Sequence, residues 1–180
     1  MVAEAVTALG REGSAAYDAL EALGAPLYVT DADGRVTFCT TACAAVAGRE
    51  ARIGEDLYCV TWRLYTADGV PLPHEDCPMA VAVRERRPVR GVEAIAERPD
   101  GTRLHILPFP TPIFDEDGAF AGAVNLFVDL SDVKRADYLA AQARRCRRLA
   151  GTIGDAATVD TLCRMAAEYE QQAGEIARPN

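Results

Sequence analysis

His74 and Cys77 stand three residues apart in the stretch "DGVPLPHEDCPMA" (residues 68–80), which also holds three prolines. Imidazole nitrogen and thiolate sulfur are ligands that suit zinc and iron, and Cys59 in "DLYCVTWRLY" offers a second thiolate. These three residues are therefore candidate ligands of a metal ion or a haem iron. The alternative is that the prolines shape a loop, His74 packs at a helix start and Cys77 is buried, because one histidine beside one cysteine is far from a diagnostic metal spacing.

Four side chains are candidates for binding a small ligand: His105, Asn125, Trp62 and His74. His105 alternates with apolar residues in "TRLHILPF" and faces away from them, so it could hydrogen-bond a ligand if its side of the strand lines a cavity. Asn125 is the polar residue of a later apolar run, and Trp62 could form an aromatic wall. Each also has an ordinary structural explanation, as a hydrogen-bonded sheet residue or as part of the core.

Asp-Gly pairs that separate short apolar runs predict the strands that would position these residues. Pairs at 33–34, 100–101 and 117–118 each indicate a hairpin, and hairpins that share strands give five strands in all. We predict an antiparallel sheet with strands at roughly 26–31, 34–39, 90–97, 102–114 and 119–129.

The long stretch between the second and third strands should carry helices, because it is too long for a bare connection in a compact domain. "TTACAAVAG" predicts a short helix that Thr40 or Thr41 opens and Gly48 ends. "MAVAVRERR" predicts a longer helix, and Pro78 places its start near residues 75–77, since proline is tolerated in the first turn.

Both ends of the chain are predicted to be helical. Gly10 and Gly13 interrupt a weak N-terminal helix, and a better one should run from about Ser14. After Asp132 two helices separated by "GTIGD" predict a helical hairpin. Their apolar stripes are Leu139, Ala143, Cys146 and Ala150 on the first helix, and Val159, Leu162, Ala166, Tyr169, Ala173 and Ile176 on the second.

Composition and net charge disfavour several classes of function. A net charge of −8 disfavours nucleic acid and anionic membranes, and the basic cluster at 144–148 is typical of a solvated helix face. The chain contains no apolar run long enough to span a bilayer and no secretory signal pattern, and its six cysteines lack a CxxC spacing. We therefore expect a soluble, cytoplasmic protein with reduced thiols. Nucleotide-binding, serine-hydrolase and zinc-protease motifs are absent, so we expect no enzyme activity.

The order of these elements resembles the PAS sensor family. The similarity is carried by "LEALGAPLYVTDADGRVTFC", by "ACAAVAGREARIGEDL", by "RPDGTRLHILPFPTPIFDEDGAFAGAVNLFVDLSD", and by the closing "VDLSDVKRAD", which is similar to the junction with an output helix. It divides the chain into an N-terminal flanking helix (1–19), a PAS-like sensor domain (20–132) and a C-terminal helical hairpin (133–180). That hairpin resembles one found in small bacterial proteins.

The resemblance implies an α+β fold, in which a five-stranded antiparallel sheet and short helices on one face enclose a small cavity. It also implies dimerisation through flanking helices and signalling to a separate partner protein. Members of the family hold haem, flavin, small metabolites or no known ligand. Because the Asn-Cys-Arg-Phe-Leu-Gln stretch of the light-sensing branch is absent, a flavin photoadduct is not expected, whereas haem stays open.

We therefore predict a non-enzymatic sensory module that binds a small ligand or partner protein and transmits through its C-terminal helices. Two alternatives remain. One is a haem- or metal-binding sensor of gas or redox state that uses His74 and Cys77, and the other is a ligand-free dimerisation scaffold for a separate kinase or regulator.

Overall fold

The computed structural model describes residues 13–152 and 155–177. Contacts between residues divide the chain into two compact units, one that ends at Asp129 and one that begins at Leu130. The first contains the sheet and the second contains the two C-terminal helices. In the described ranges, no helix is both long enough and apolar enough to cross a membrane.

The predicted α+β class with an antiparallel sheet is confirmed, although the described residues form eight strands rather than five. The strands are β1 (Leu27–Asp31), β2 (Val36–Cys39), β3 (Arg63–Thr66), β4 (Pro71–Leu72), β5 (Ala94–Glu97), β6 (Arg103–Pro108), β7 (Thr111–Phe114) and β8 (Phe120–Asp129). Their order in the sheet is β2-β1-β8-β6-β5-β3-β4, and β7 also pairs with β8.

One additional strand arises because the predicted strand 102–114 is interrupted. Pro108 pairs with Phe127 and Thr111 pairs with Val124, so the register against β8 is the same on both sides of the interruption. The gap falls at Phe109 and Pro110, and proline has no N–H to donate to the ladder. The Phe109 amide still donates to the Leu126 carbonyl at 2.9 Å, so the two halves are one strand whose ladder is interrupted at Pro110.

The other two additional strands lie in the middle stretch, where only helices were predicted. Strands β3 and β4 form a hairpin that extends the sheet beyond β5. Its turn follows the Asp-Gly pattern used for the other hairpins: Gly69 has φ +87°, and the amide of Thr66 donates to the carbonyl of Val70 at 2.8 Å. Asp68-Gly69 is therefore the sequence signal of this hairpin, as the other Asp-Gly pairs are of theirs.

Five α-helices complete the described chain: α1 (Gly13–Ala22), α2 (Thr41–Ala47), α3 (Pro78–Glu85), α4 (Ser131–Ala150) and α5 (Ala156–Ile176). Helix α2 has Thr40 as its N-cap and Gly48, at φ +68°, as its C-cap, as predicted. Pro78 begins α3 after a short 3₁₀ turn, and the Cys77 sulfur accepts a hydrogen bond from the Ala80 amide. The weak helix predicted before residue 13 lies outside the described residues.

The sheet has an apolar layer on each face. On one face Tyr28, Ile106 and Phe127 pack with the middle helices and loops. On the other face Leu20 of α1 is buried against Leu27, Val29 and Val124. Strand β8 alternates between the two layers, so its odd-numbered residues 123, 125 and 127 face the first layer.

The predicted C-terminal helical hairpin is confirmed. Helices α4 and α5 bury Ala143, Cys146 and Ala166 between them, as the apolar stripes require. On their exposed rim Arg147 forms an ion pair with Glu170, with Nη2 and Oε2 2.6 Å apart.

Candidate functional site

An open cleft of about 550 Å³ lies in the sheet-containing unit. Residues of the 49–62 segment form most of its wall, and His74 and Glu75 of the 3₁₀ turn complete it. This size lies in the range of small-molecule sites, roughly 300–1,000 Å³. We refer to it below as the cleft.

A buried carboxylate holds the cleft wall in place. Asp56 is 5% exposed, and its oxygens lie 2.8 Å from Arg49 Nη2 and 3.3 Å from Arg52 Nε. The backbone amide of Arg52 also donates to Asp56 at 2.9 Å. A charge removed from water is tolerated only when it is paired and hydrogen-bonded, so these contacts fix the shape of the segment.

The same segment is attached to the first hairpin through Gly34. The Tyr58 amide donates to the Gly34 carbonyl at 2.7 Å, and the Tyr58 ring lies directly over Gly34. A Cβ on Gly34 would lie 2.2 Å from the ring carbon Cε1, so any side chain there would force the Tyr58 ring to move. Tyr58 itself has a positive φ of +61°, which is unusual for a residue with a side chain.

Cys59 lies at the inner end of the cleft and is 4% exposed. Its sulfur is 3.1 Å from the Thr61 hydroxyl, which is 3.4 Å from His74 Nε2. Cys77, which is 2% exposed, borders the same small enclosed space as Cys59. The neighbouring Cys77 thiol, the nearby His74 and the Thr61 hydroxyl together lower the pKa of Cys59 to about 6 against the effect of burial, whereas the pKa of Cys77 is raised well above its usual range.

A buried polar chain connects the cleft wall with β8. The Tyr28 hydroxyl, fully buried, donates to the backbone carbonyl of Tyr58 at 2.7 Å. Asn125 Nδ2 donates to that hydroxyl at 3.1 Å, and Asn125 Oδ1 accepts from the amide of Phe109 at 3.0 Å. Burial is the main cause that raises the pKa of Tyr28 well above its usual range, so it remains a neutral donor.

The space enclosed between the sheet and α3 is almost filled by side chains. The cavity there, bordered by Tyr28, Met79 and Asn125, has about 10 Å³. That volume holds at most one water molecule. The enclosed cavity implied by the family resemblance is therefore too small in this structure for a metabolite.

The four residues predicted to bind a ligand do not share one site. Trp62 and His74 both line the cleft, and Trp62 is 52% exposed. Asn125 is buried in the polar chain beside the small cavity. His105 lies on the opposite sheet face, because its neighbours Leu104 and Ile106 are the ones that pack into the core. The side of the strand that carries His105 therefore does not line the enclosed cavity.

The structure brings the three candidate metal ligands into one neighbourhood, although Thr61 lies between Cys59 and His74. Across the described ranges, no group of three or more His, Cys, Asp or Glu side chains is placed to hold a metal ion. This arrangement gives no support to the metal-site hypothesis. Sequence reasoning missed Thr61, Arg49 and Asp56, because hydroxyl and charged residues in a loop look like ordinary solvated positions.

The sequence model of the PAS fold family matches residues 20–135. This match covers well over half of the chain, and the chain belongs to the PAS fold family. PAS domains are in general sensory modules. No curated protein matches the sequence.

Several solved structures are similar to this chain. They include the PAS domain of the fruit-fly ELK potassium channel, with 12% identity, 63% of this chain and 93% of that chain covered, and a TM-score of 0.49. The light-state dimer of the fungal blue-light photoreceptor Vivid has 18% identity, with 58% of this chain and 77% of that chain covered, and a TM-score of 0.45. A PAS domain from Colwellia psychrerythraea has 17% identity, with 63% of this chain and 92% of that chain covered, and a TM-score of 0.42.

Proposed function

We propose that this protein is a non-enzymatic, cytoplasmic sensory module that binds a small polar ligand in the cleft and transmits the binding to its C-terminal helices. The observation that carries the proposal is the cleft itself, in which a half-exposed tryptophan and an imidazole stand beside several charged groups. Sites for small molecules combine an aromatic or apolar wall with a few polar groups that orient the ligand.

The route of transmission starts at the cleft wall and ends at α4. Tyr58 lines the cleft, and its carbonyl is connected through the Tyr28 hydroxyl to Asn125 of β8. Strand β8 ends at Asp129 and α4 begins at Ser131, so a single residue separates them. A ligand that binds one arrangement of this chain of contacts better than another biases the start of α4, by no more than its difference in affinity.

Trp62 makes the proposal directly testable, because it is the only tryptophan in the chain. Native mass spectrometry of the purified protein should reveal a retained small molecule, and its removal should change the tryptophan fluorescence. His74→Ala should weaken retention, whereas His105→Ala, on the far face of the sheet, should not. If no small molecule is retained and a panel of polar metabolites leaves the fluorescence unchanged, the ligand-binding proposal is wrong.

A ligand-free dimerisation scaffold is the second candidate function. It is favoured by the nearly filled interior and by half-exposed apolar residues: Leu126 and Val128 on β8, and Val133 and Tyr138 on α4. Such residues are suited to contact a second copy or a separate signalling partner such as a kinase or regulator. Sedimentation equilibrium should then give a dimer, and Val133→Glu with Tyr138→Glu should give a monomer. Arg135→Glu, exposed on the same helix, controls for added negative charge.

A further inference from the structure

Cys59 and Cys77 form a buried dithiol whose members come from different elements. Cys59 precedes β3, and Cys77 is the N-cap of α3. Both side chains are buried and border the same small enclosed cavity. Only Cys59 also borders the cleft, so the two thiols differ in access to small molecules from solvent.

We propose that this dithiol is a redox site, at which a small hydroperoxide enters through the cleft and converts Cys59 and Cys77 to a disulfide. This redox site is separate from the ligand binding proposed for the cleft and does not depend on it. Cys59 is the sulfur that reacts with the hydroperoxide, and Cys77 is the sulfur that resolves the product. Thr61 and His74 are positioning residues, since they act through their contacts with Cys59 and with each other.

The reaction is balanced in two steps. In the first step the Cys59 sulfur attacks the peroxide oxygen, the O–O bond breaks, and a sulfenic acid and an alcohol are formed, or water when the oxidant is hydrogen peroxide. In the second step the Cys77 sulfur attacks the sulfenic sulfur, a disulfide forms and one water is released. The dithiol loses two electrons and two protons in total, and the hydroperoxide accepts them.

The surroundings of Cys59 favour the first step at neutral pH. A thiolate is the reactive form of cysteine, and the contacts that lower the pKa of Cys59 make this form abundant. Cys39 at the end of β2 and Cys43 in α2 are a second pair of thiols in the same core, but neither borders the cleft. This second pair is the matched control for the proposal.

The disulfide would connect the loop before β3 with the start of α3. It would enclose the hairpin of β3 and β4 in a covalent loop. It would also alter the Cys77 sulfur, which accepts a hydrogen bond from the Ala80 amide. His74 lies inside that loop, and Trp62 lies three residues after Cys59. Oxidation is therefore expected to alter the cleft wall and shift the Trp62 fluorescence.

The test uses the full chain with the exposed Cys163 changed to Ser, which prevents disulfides between copies. Hydrogen peroxide is added at equal concentration, and peptides are mapped by mass spectrometry without reductant. We expect a peptide pair linked through Cys59 and Cys77, a mass lower by two hydrogen atoms, and reversal by dithiothreitol. The variant C39A/C43A should give the same result, and C59A should give none of it.

Two further variants keep the proposal falsifiable. C77S retains a hydroxyl for the helix cap, and it should accumulate a sulfenic acid at Cys59 that dimedone traps. H74Q should slow the oxidation several-fold, whereas H105Q should leave the rate unchanged. The proposal is overturned if Cys59 and Cys77 can still be alkylated after peroxide treatment and unfolding. It is also overturned if the disulfide forms between Cys39 and Cys43 instead. Neither outcome depends on what the cleft binds.

Discussion

Gly34 has no Cβ, and this allows Tyr58 of the cleft wall to pack directly over it. Its φ of +84° falls in the region that favours glycine, and the Tyr58 ring occupies the space where a Cβ would lie. Gly101 has the same φ of +84°, but a Cβ there would have no heavy atom within 4 Å beyond its chain neighbours. Comparison of the two positions therefore separates backbone strain from steric conflict.

We predict that Gly34→Ala lowers the free energy of unfolding by more than Gly101→Ala does. Backbone strain should cost about 1–2 kcal/mol at either position. The conflict with the Tyr58 ring should add about 1–3 kcal/mol at Gly34 alone. Urea denaturation of the two variants measures the difference, and equal losses would show that the Tyr58 ring moves aside without cost.

The buried hydroxyl of Tyr28 has two hydrogen-bond partners, the Tyr58 carbonyl and Asn125 Nδ2. Tyr28→Phe would leave the Tyr58 carbonyl without its donor and Asn125 Nδ2 without its acceptor. We predict a loss of about 1–3 kcal/mol in the free energy of unfolding, because buried polar groups are left unpaired. The control is Tyr138→Phe on the exposed surface of α4, which should be neutral. A neutral result for Tyr28→Phe would mean that water replaces the hydroxyl.

The ionisation of Cys59 gives a prediction on pH. The groups that face it are Cys77, His74, Thr61, Tyr28 and Cys43. Because its pKa is lowered to about 6 from 9.0, the thiolate is present at neutral pH and is lost as the pH falls through about 6. The ultraviolet thiolate absorbance of the full chain, minus that of Cys59→Ala, measures this titration. A midpoint at the ordinary thiol value would contradict the described contacts.

At the scale of elements, Thr40 connects the first strand with the first helix. Its hydroxyl accepts from the Cys43 amide at 3.2 Å as the cap of α2, accepts from the Leu27 amide at 3.1 Å, and donates to the Ala25 carbonyl at 2.9 Å. One side chain thus satisfies a helix end and a strand end.

We predict that Thr40→Ala lowers the free energy of unfolding by about 1–2 kcal/mol, since loss of an N-cap costs this much and two further bonds are removed. Thr41→Ala is the control, because Thr41 is exposed and its side chain does not cap the helix. Thermal unfolding followed by circular dichroism compares the two. Equal melting temperatures would mean that the capping bond contributes nothing.

The elements that sequence could predict are those with local signals. Asp-Gly turns located the hairpins, and Thr40, Gly48 and Pro78 marked helix ends, because capping and turn preferences depend on a few adjacent residues. The division of strand 102–114 was foreseeable in principle from Pro110. The cleft was not, because it depends on Asp56, Thr61 and His74 meeting across turns, and no periodicity or spacing encodes such a meeting. The side of the sheet on which His105 lies required knowledge of which face is covered.

At the scale of the whole molecule, the two compact units should respond separately to core substitutions. Ala143 is fully buried between α4 and α5, so Ala143→Leu should destabilise the helical pair by about 1–3 kcal/mol through overpacking. Ala141→Leu, exposed on the same helix, is the control. We predict that helical circular dichroism melts earlier while the Trp62 fluorescence transition, which reports on the sheet unit, is unchanged. A common shift of both signals would mean that the units unfold together.

Both ends of the strand order carry features that restrict pairing with a further strand. On one side β4 has only two residues, and one of them is Pro71, which lacks an N–H. On the other side the backbone of β2 is bonded to the cleft segment, with the Val36 amide donating to the Asp56 carbonyl at 2.9 Å and the Val36 carbonyl accepting from the Gly54 amide at 2.8 Å. Growth of the sheet through these two edge strands is therefore disfavoured.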